Sequence, residues 1–372
     1  MRAFQMVSAA CGALLGLSAL TAHAQTPAEI NFGVISTEIS TNLKKVWEPY
    51  LDAMSKGTGL AIKGIYASDY AGVIEAMRFG KVQVAWFGNK SAMEAVNRSN
   101  GQLFAQSVDS VGDPGYWSHL IVHKDSPLQK LEDVLKCDKS IDFGIGDPNS
   151  TSGFLVPNSY IFAEKNIDPK SCFKVVRNAS HEANAMAVAN RQVTVATNNS
   201  ESLRRLETTA PEARKNIRII WTSPLIPSDP LVWRKDLPQD LKIRIYTWTM
   251  SYGRIGTQEE IASARQILAA LQRAPYNPTN DDQLLPIRIL ETNKSVMKVK
   301  ADESLSSEDK AAKLAALQAE IKGYQQQAEK SDKSPFQQKV AAFLEADKAG
   351  NQAELKKLIA DFATTASSVP SN

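Results

Sequence analysis

The chain has 372 residues, of which 43% are hydrophobic and 22% charged, and its formal net charge is +3. This length allows two domains or one large one, and the composition is that of an ordinary folded protein. A net charge so close to zero excludes the broad basic surface typical of nucleic-acid binding, so any anionic ligand must be held by local donors.

The N-terminus has the three parts of an export signal. Arg2 supplies a basic start, residues 6–20 an apolar run, and residues 22–24 (A-H-A) a small-x-small cleavage site. A membrane anchor is the alternative, but the run is shorter than the ~20 residues needed to cross a bilayer. The sequence therefore predicts a signal peptide over residues 1–24, cleaved near Ala24, and a soluble exported protein. Loss of Arg2 lowers the formal charge to +2.

Strand-like apolar runs then alternate with helical patterns along most of the chain. The predicted strands cover residues 30–35, 60–67, 82–87, 103–108, 141–145, 173–176, 193–196 and 217–221. A helical pattern separates most neighbouring strands, and Asp69 is a natural cap for the helix that follows the second strand. This alternation predicts an α/β protein with parallel sheets covered on both faces.

The strands fall into two runs, which predict two α/β lobes. Crossings between the lobes are expected at residues 117–123 and 217–233. The first lobe is then predicted to hold residues 25–122 with 229–292, and the second lobe residues 123–228.

Helical patterns dominate residues 293–372. Ser306 begins a capping box, and two further helices start after Ser334 and near residue 352. The first of these helices carries a narrow apolar stripe, formed by Leu314, Leu317, Ile321 and Tyr324. We expect this C-terminal extension to pack on the first lobe. A homodimer contact through the same helices is the alternative.

Residues 141–154 carry the clearest sign of a ligand site. A short strand runs into a turn, and Ser150, Thr151 and Ser152 stand beside Gly153 where a helix begins. A helix start presents unpaired N–H groups and the positive end of the helix dipole. Three hydroxyls there, with a glycine that lets the backbone approach, predict a site for a small oxyanion such as phosphate or phosphonate. A plain helix cap is the alternative.

Other polar residues stand where open α/β sheets bind ligands, beyond the carboxyl ends of the strands. They are Tyr70, Tyr116, His181 and Glu201, with Asp229 in an expected crossover. Hydroxyls and His181 can donate to an oxyanion, whereas the two acids can only accept when ionised. A ligand with an anionic and a cationic end satisfies both sets. Taken singly, each residue is better explained as a packing tyrosine, a helix cap or a turn former.

Two cysteines remain once the leader is removed, Cys137 and Cys172, each just before a predicted strand. An even pair in an oxidising compartment predicts a structural disulfide. Two buried thiols are the alternative.

Seven stretches resemble the phosphonate-binding periplasmic proteins of ABC importers, in the order of that family and over about residues 30–233. They read F-G-V-I-S-T-E, D-Y-A-G-V-I-E-A-M-R-F-G-K-V-Q-V-A-W-F-G-N, G-D-P-G-Y-W-S, G-D-P-N-S-T-S-G-F-L-V-P, H-E-A-N-A-M-A-V-A-N, V-A-T-N-N-S-E-S-L and S-P-L-I-P-S-D-P-L-V-W-R. The resemblance implies a type II periplasmic solute-binding fold whose two lobes close on a phosphonate such as 2-aminoethylphosphonate. It also implies delivery to an inner-membrane permease, with no cofactor.

The resemblance also assigns roles to residues. The phosphonate oxygens are expected at the helix start and at five side chains: Ser150, Thr151, Ser152, Tyr70 and His181. The amine is expected at three others: Glu201, Asp229 and Tyr116. The presence of both acids favours an aminoalkyl ligand over phosphite or a simple alkyl phosphonate. Phe87 stands where some members have tyrosine, which removes a possible hydroxyl near the cleft. The cysteine pair is not part of this pattern.

An exported hydrolase of phosphate or phosphonate esters is the competing function. Ser150, His181 and Asp229 contain the elements of a nucleophile, a base and an orienting acid. The sequence has no G-x-S-x-G elbow and no H-E-x-x-H motif, and its four histidines form no clustered metal set. A binding protein accounts for the same residues without a reactive nucleophile, so we expect no enzymatic activity.

Overall fold

The structure is a computed structural model that describes residues 28–368. The predicted signal peptide lies outside the described residues. The strands are β1 (Glu29–Val34), β2 (Ala61–Tyr66), β3 (Val84–Trp86), β4 (Gly101–Asp109), β5 (Gly115–Tyr116), β6 (Ser118–His123), β7 (Asp142–Ile145), β8 (Val175–Asn178), β9 (Val195–Asn199), β10 (Ile217–Thr222), β11 (Ile226–Pro227), β12 (Pro230–Arg234) and β13 (Arg273–Pro278).

Helices alternate with these strands and then occupy the C-terminal part. They are α1 (Ser40–Thr58), α2 (Tyr70–Arg78), α3 (Asn89–Arg98), α4 (Leu131–Val134), α5 (Pro169–Cys172), α6 (His181–Ala189), α7 (Ser200–Thr209), α8 (Pro211–Lys215), α9 (Gln239–Ser251), α10 (Gln258–Ala270), α11 (Leu285–Ala301), α12 (Ser307–Asp332), α13 (Pro335–Lys348) and α14 (Gln352–Ser367). Within the described part of the chain, none of these helices combines the length and apolar character that a membrane crossing requires.

Two mixed sheets form the body of the protein. The first has the order β13-β4-β12-β3-β1-β2 and the second the order β10-β6-β9-β7-β8. The predicted parallel pairing holds for β1 with β2 and β3, and for β7 with β8 and β9. It is wrong for the strands that follow a crossing. β6 runs antiparallel to β9, and β12 lies antiparallel between β3 and β4, because each enters its sheet from the other lobe.

Sheet membership moves the expected lobe boundaries. β6 belongs to the second sheet, although the sequence placed residue 122 at the end of the first lobe. The two crossing segments pair with each other through β5 and β11. α11 runs to Ala301, although the extension was expected to begin at residue 293. We therefore propose that the first lobe ends near residue 116 and that the extension starts after α11.

The first sheet is held by a large core on both of its faces. β1 buries Ile30, Phe32 and Val34 at alternate positions, as the period of a strand requires. α1 covers one face with side chains at helical spacing: Leu43, Trp47, Tyr50, Leu51 and Met54. The second sheet has its own cluster, in which the Phe143 and Phe173 rings stack 4.5 Å apart. Each sheet therefore has the rigid support that a ligand site between them needs.

The C-terminal helices pack on the first lobe. Phe343 in α13 and Ile359 and Phe362 in α14 are buried in the same core as the first sheet. α12 lies along α11, with Arg288 of α11 over the ring of Tyr324. The rest of the predicted apolar stripe on α12 is half-buried. These contacts agree with packing on the first lobe, and the homodimer contact stays a prediction.

Cys137 and Cys172 are joined by a disulfide, with 1.97 Å between the sulfur atoms. The bond links the loop before β7 to the end of α5, and Cys172 is buried beside Phe173. It therefore ties down one end of β7, whose other end leads into the Ser150 turn.

Candidate functional site

One cavity between the two sheets is lined by all eight predicted ligand residues. They are Tyr70, Tyr116, Ser150, Thr151, Ser152, His181, Glu201 and Asp229. The sequence did not single out the remaining lining residues, which are Thr37, Glu38, Trp86, Gly88, Asn199, Ser202, Arg205 and Arg273. Most of these positions follow the carboxyl ends of strands, where α/β sheets bind ligands. These sixteen residues enclose the interlobe cavity.

Four helices begin at the interlobe cavity. Tyr70 opens α2, Gly88 caps α3, His181 opens α6 and Glu201 lies in the first turn of α7. Each helix start carries a partial positive charge and N–H groups without helical partners. Their convergence favours an anion in a protein whose net charge is nearly neutral.

The three hydroxyl side chains of the Ser150 turn each accept a hydrogen bond from the protein. Ser150 Oγ accepts from the N–H of Gly153 at 3.0 Å, and Ser152 Oγ from Nδ2 of Asn199 at 2.9 Å. Thr151 Oγ1 accepts from the N–H of Lys90 at 2.9 Å, across the two lobes. Since a hydroxyl that accepts in this way keeps its own proton for donation, all three can donate to an oxyanion.

The predicted helix after Ser150 begins as a wider π-helical turn, Thr151–Leu155. The Leu155 N–H bonds to the Ser150 carbonyl at 3.1 Å, five residues back, and Pro157 supplies no N–H for tighter pairing. The π-helical bonding widens the first turn of the helix, which carries the three hydroxyls.

This turn packs directly against the end of β7. The N–H of Gly146 bonds to the Gly153 carbonyl at 2.9 Å, and a Cβ at Gly146 would lie 2.6 Å from Cα of Gly153. Real Cβ atoms do not come so close to backbone, so position 146 requires glycine. The approach fixes the three hydroxyls relative to the sheet.

His181 is neutral and internally bonded. Asn199 accepts from the Ser202 N–H through Oδ1 at 2.7 Å, so its Nδ2 must be the atom 3.2 Å from His181 Nε2. An amide nitrogen only donates, which places the histidine proton on Nδ1. Burial lowers the pKa of His181 to about 4, against an opposing effect of Glu201. Nδ1 is buried without a partner in the described part of the chain, so this N–H has a hydrogen bond left to make.

The two tyrosines are buried donors. Burial and the negative charge of Asp229 raise the pKa of both Tyr70 and Tyr116 far above the usual value. The Tyr116 hydroxyl donates to Oδ1 of Asp229 at 2.9 Å. Both phenols therefore remain protonated and can donate within the cavity.

Asp229 is held by the first lobe and is 5% exposed. Its Oδ1 accepts from Tyr116 and, at 3.4 Å, from Nδ2 of Asn89. Burial, reinforced by the charge of Glu201, raises the pKa of the Asp229 carboxyl. A cation bound beside it would stabilise the ionised form.

Glu201 already has a cationic partner. It forms an ion pair with Arg273, which belongs to β13 of the first sheet and is 4% exposed. The Arg273 guanidinium lies 5.7 Å from the centre of the Trp86 ring. The sequence predicted a carboxylate open to a ligand amine, whereas the structure shows one that a cation from the opposite lobe already neutralises.

Further contacts join the lobes around the cavity. Arg205 of α7 pairs with Glu38 at 2.5 Å, and Arg204 pairs with Asp109 at the end of β4. Glu182 accepts from the N–H of Ile39 at 2.9 Å. The lobes are therefore closed on each other in this structure.

Phe87 does not line the interlobe cavity, although its neighbours Trp86 and Gly88 do. Its side chain is fully buried in the first core. The departure from the family pattern at Phe87 therefore lies in the core beside the cavity lining.

The hydrolase interpretation is not supported by the geometry. Ser150 Oγ lies 3.3 Å from Nε2 of His181, but that nitrogen already accepts from Asn199. A triad needs an acid on the other ring nitrogen, and within residues 28–368 His181 Nδ1 has no partner. Asp229 contacts Tyr116 and Asn89 instead. No cluster of three metal-binding side chains occurs among the described residues either.

Comparisons with known proteins show the family to which the chain belongs. The profile of the family described as "ABC transporter, phosphonate, periplasmic substrate-binding protein" matches residues 32–284. The "Phosphonates-binding periplasmic protein" of Escherichia coli strain K12 is 51% identical over 324 residues, which cover 86% of this chain and 94% of that protein.

Solved structures show the same fold. The binding protein component of an ABC phosphonate transporter from Pseudomonas aeruginosa has 50% sequence identity and a TM-score of 0.79, covering 82% of this chain and 99% of that one. A Prochlorococcus marinus protein in complex with methylphosphonate has 20% identity and a TM-score of 0.62, covering 72% and 99%. The predicted type II periplasmic binding fold, with its helical C-terminal region, is confirmed. The chain belongs to the periplasmic phosphonate-binding proteins of ABC transporters.

Proposed function

We propose that this protein binds an aminoalkyl phosphonate, with 2-aminoethylphosphonate as the best candidate, between its two lobes in the periplasm and delivers it to the membrane permease. One observation carries the proposal. The lining of the interlobe cavity combines three hydroxyls and a helix start with two carboxylates, Glu201 and Asp229. A small molecule with an anionic and a cationic end satisfies both sets.

The phosphonate end is assigned to the second lobe. Ser150, Thr151 and Ser152 donate from their hydroxyls, and the neutral His181 donates through Nδ1. Tyr70 adds a phenol from the first lobe. Donors held by a rigid turn suit an oxyanion, because little entropy is lost when it binds.

The amine end is assigned to Asp229, with Glu201 and Tyr116 beside it. Asp229 is the stronger candidate, because Glu201 is already paired with Arg273. Lobe closure brings these groups from both sheets together, so a ligand that contacts both favours the closed state. The closed form is the one expected to dock on the permease.

Calorimetric titration with 2-aminoethylphosphonate, ethylphosphonate and inorganic phosphate tests the proposal. Ethylphosphonate is the matched control, because it has the same carbon chain without the amine. We expect 2-aminoethylphosphonate to bind at least about tenfold more tightly than ethylphosphonate, which corresponds to about 1.4 kcal/mol. Binding of inorganic phosphate alone would overturn the assignment. A phosphate-release assay on the same samples should detect no hydrolysis, and release of phosphate would restore the hydrolase.

A further inference from the structure

We propose that Arg273 is a specificity-determining residue, which serves as the cation of Glu201 when the ligand brings none and so lets phosphonates without an amine bind as well. This inference rests on the proposed function of the interlobe cavity and assigns a role to a side chain outside the predicted ligand set. The Arg273–Glu201 ion pair across the two lobes, at the amine end of the cavity, is the observation that carries it.

Arg273 is placed to act on the ligand's cationic end. It lies at the start of β13, lines the cavity and is 4% exposed. Its guanidinium contacts the Glu201 carboxylate and rests near the face of Trp86. An arginine so deeply buried is tolerated only when its charge is paired. Arg273 therefore needs the carboxylate of Glu201, just as Glu201 needs the guanidinium of Arg273.

The charged side chains at the amine end of the interlobe cavity can be neutralised by one further cation. Glu201 and Asp229 bring two negative charges and Arg273 one positive charge, so a single ammonium balances the group. Burial tends to lower the pKa of Arg273, but Glu201 and neighbouring groups outweigh burial and raise it, so the guanidinium stays charged. Asp229 has a raised pKa and can take up a proton when no ammonium is present.

Removing Arg273 alone should therefore sharpen the preference for an amine. Glu201 would then have no cationic partner in the closed state. The ammonium of 2-aminoethylphosphonate could still supply a positive charge, whereas with ethylphosphonate Asp229 can take up a proton but the charge of Glu201 stays unbalanced. Both ligands lose affinity, and ethylphosphonate loses more.

The test is calorimetric titration of Arg273→Gln with 2-aminoethylphosphonate and ethylphosphonate. We expect the ratio of the ethylphosphonate Kd to the 2-aminoethylphosphonate Kd to rise by about tenfold or more over wild type. Arg273→Lys, which keeps the charge, should bring the ratio back towards wild type. Arg204→Gln is the matched control, because Arg204 also joins the lobes through an ion pair but does not line the cavity. That variant should leave the ratio unchanged.

The double variant Glu201→Gln with Arg273→Gln separates charge balance from direct amine binding by Glu201. Glu201→Gln alone removes a negative charge and should lower the ratio of the two Kd values. The double variant removes one negative and one positive charge, so the net charge is that of wild type and the ratio should return to near the wild-type value. If the double variant keeps the low ratio of Glu201→Gln, or if Arg273→Gln leaves the ratio unchanged, the inference is overturned. The double variant removes both charges of the pair, so it also serves if Arg273→Gln fails to fold. Failure of wild type to bind either ligand would instead refute the proposed function.

Discussion

Asp229→Asn is expected to weaken binding of 2-aminoethylphosphonate by roughly 2–5 kcal/mol, a factor of about 30 to 5,000, and to leave ethylphosphonate within a few-fold of wild type. The substitution preserves the size of the side chain and one oxygen for Tyr116. It removes the charge that faces the ammonium and turns an N–H towards it. Because Asp229 is 5% exposed, water compensates little for the lost contact.

Asp113→Asn provides the matched control for this change. Asp113 is a carboxylate with 42% side-chain exposure, and it lies outside the lining of the interlobe cavity. The same loss of charge there should leave both affinities unchanged. Calorimetry on the three proteins gives the comparison. An Asp229→Asn protein that binds both ligands as tightly as wild type would reject Asp229 as the amine partner.

Gly146→Ala is expected to reduce binding of 2-aminoethylphosphonate and ethylphosphonate alike, by roughly a hundredfold. The added methyl group would lie 2.6 to 2.8 Å from three backbone atoms of Gly153. Backbone cannot swing aside as a flexible side chain does, so the Ser150 turn must move away from β7. Its three hydroxyls would then no longer meet the phosphonate oxygens together.

The same change should lower the free energy of unfolding by about 1–3 kcal/mol, as overpacking of a tight contact does. Gly323→Ala is the control, because a Cβ at Gly323 in α12 meets no atom within 4 Å. That variant should bind normally and be at least as stable as wild type, since alanine favours helix. Chemical denaturation and calorimetry measure the two effects. Normal phosphonate affinity in Gly146→Ala would show that the turn does not position the ligand.

The local pattern of the sequence predicted much of the fold. Alternating apolar residues such as Ile30, Phe32 and Val34 marked a buried strand, and Asp69 caps α2 through the Gly72 N–H as expected. The apolar pattern of a single strand or helix is set by the residues of that element alone, so it can be recognised in the sequence. The antiparallel insertion of β12 between β3 and β4 was missed, because it depends on where the chain returns from the other lobe.

In the candidate site too, residues in local motifs were predicted and residues brought in by the fold were missed. The eight predicted ligand residues, which all line the interlobe cavity, could be picked out because they belong to short motifs, such as the hydroxyls that stand beside Gly153. Arg273 was missed because no motif surrounds it, and its partner Glu201 lies 72 residues away in the chain and on the other lobe. Asn199 lay inside a recognised stretch, but only its contacts with Ser152 and His181 reveal that it fixes the donors.

A crystal structure of the complex with 2-aminoethylphosphonate tests most directly whether one small molecule bridges the two sides of the interlobe cavity. We expect the phosphonate oxygens within hydrogen-bonding distance of the Ser150, Thr151 and Ser152 hydroxyls, and the nitrogen beside the carboxylates of Asp229 and Glu201. A ligand in the reverse orientation, or one bound outside this cavity, would contradict the assignment.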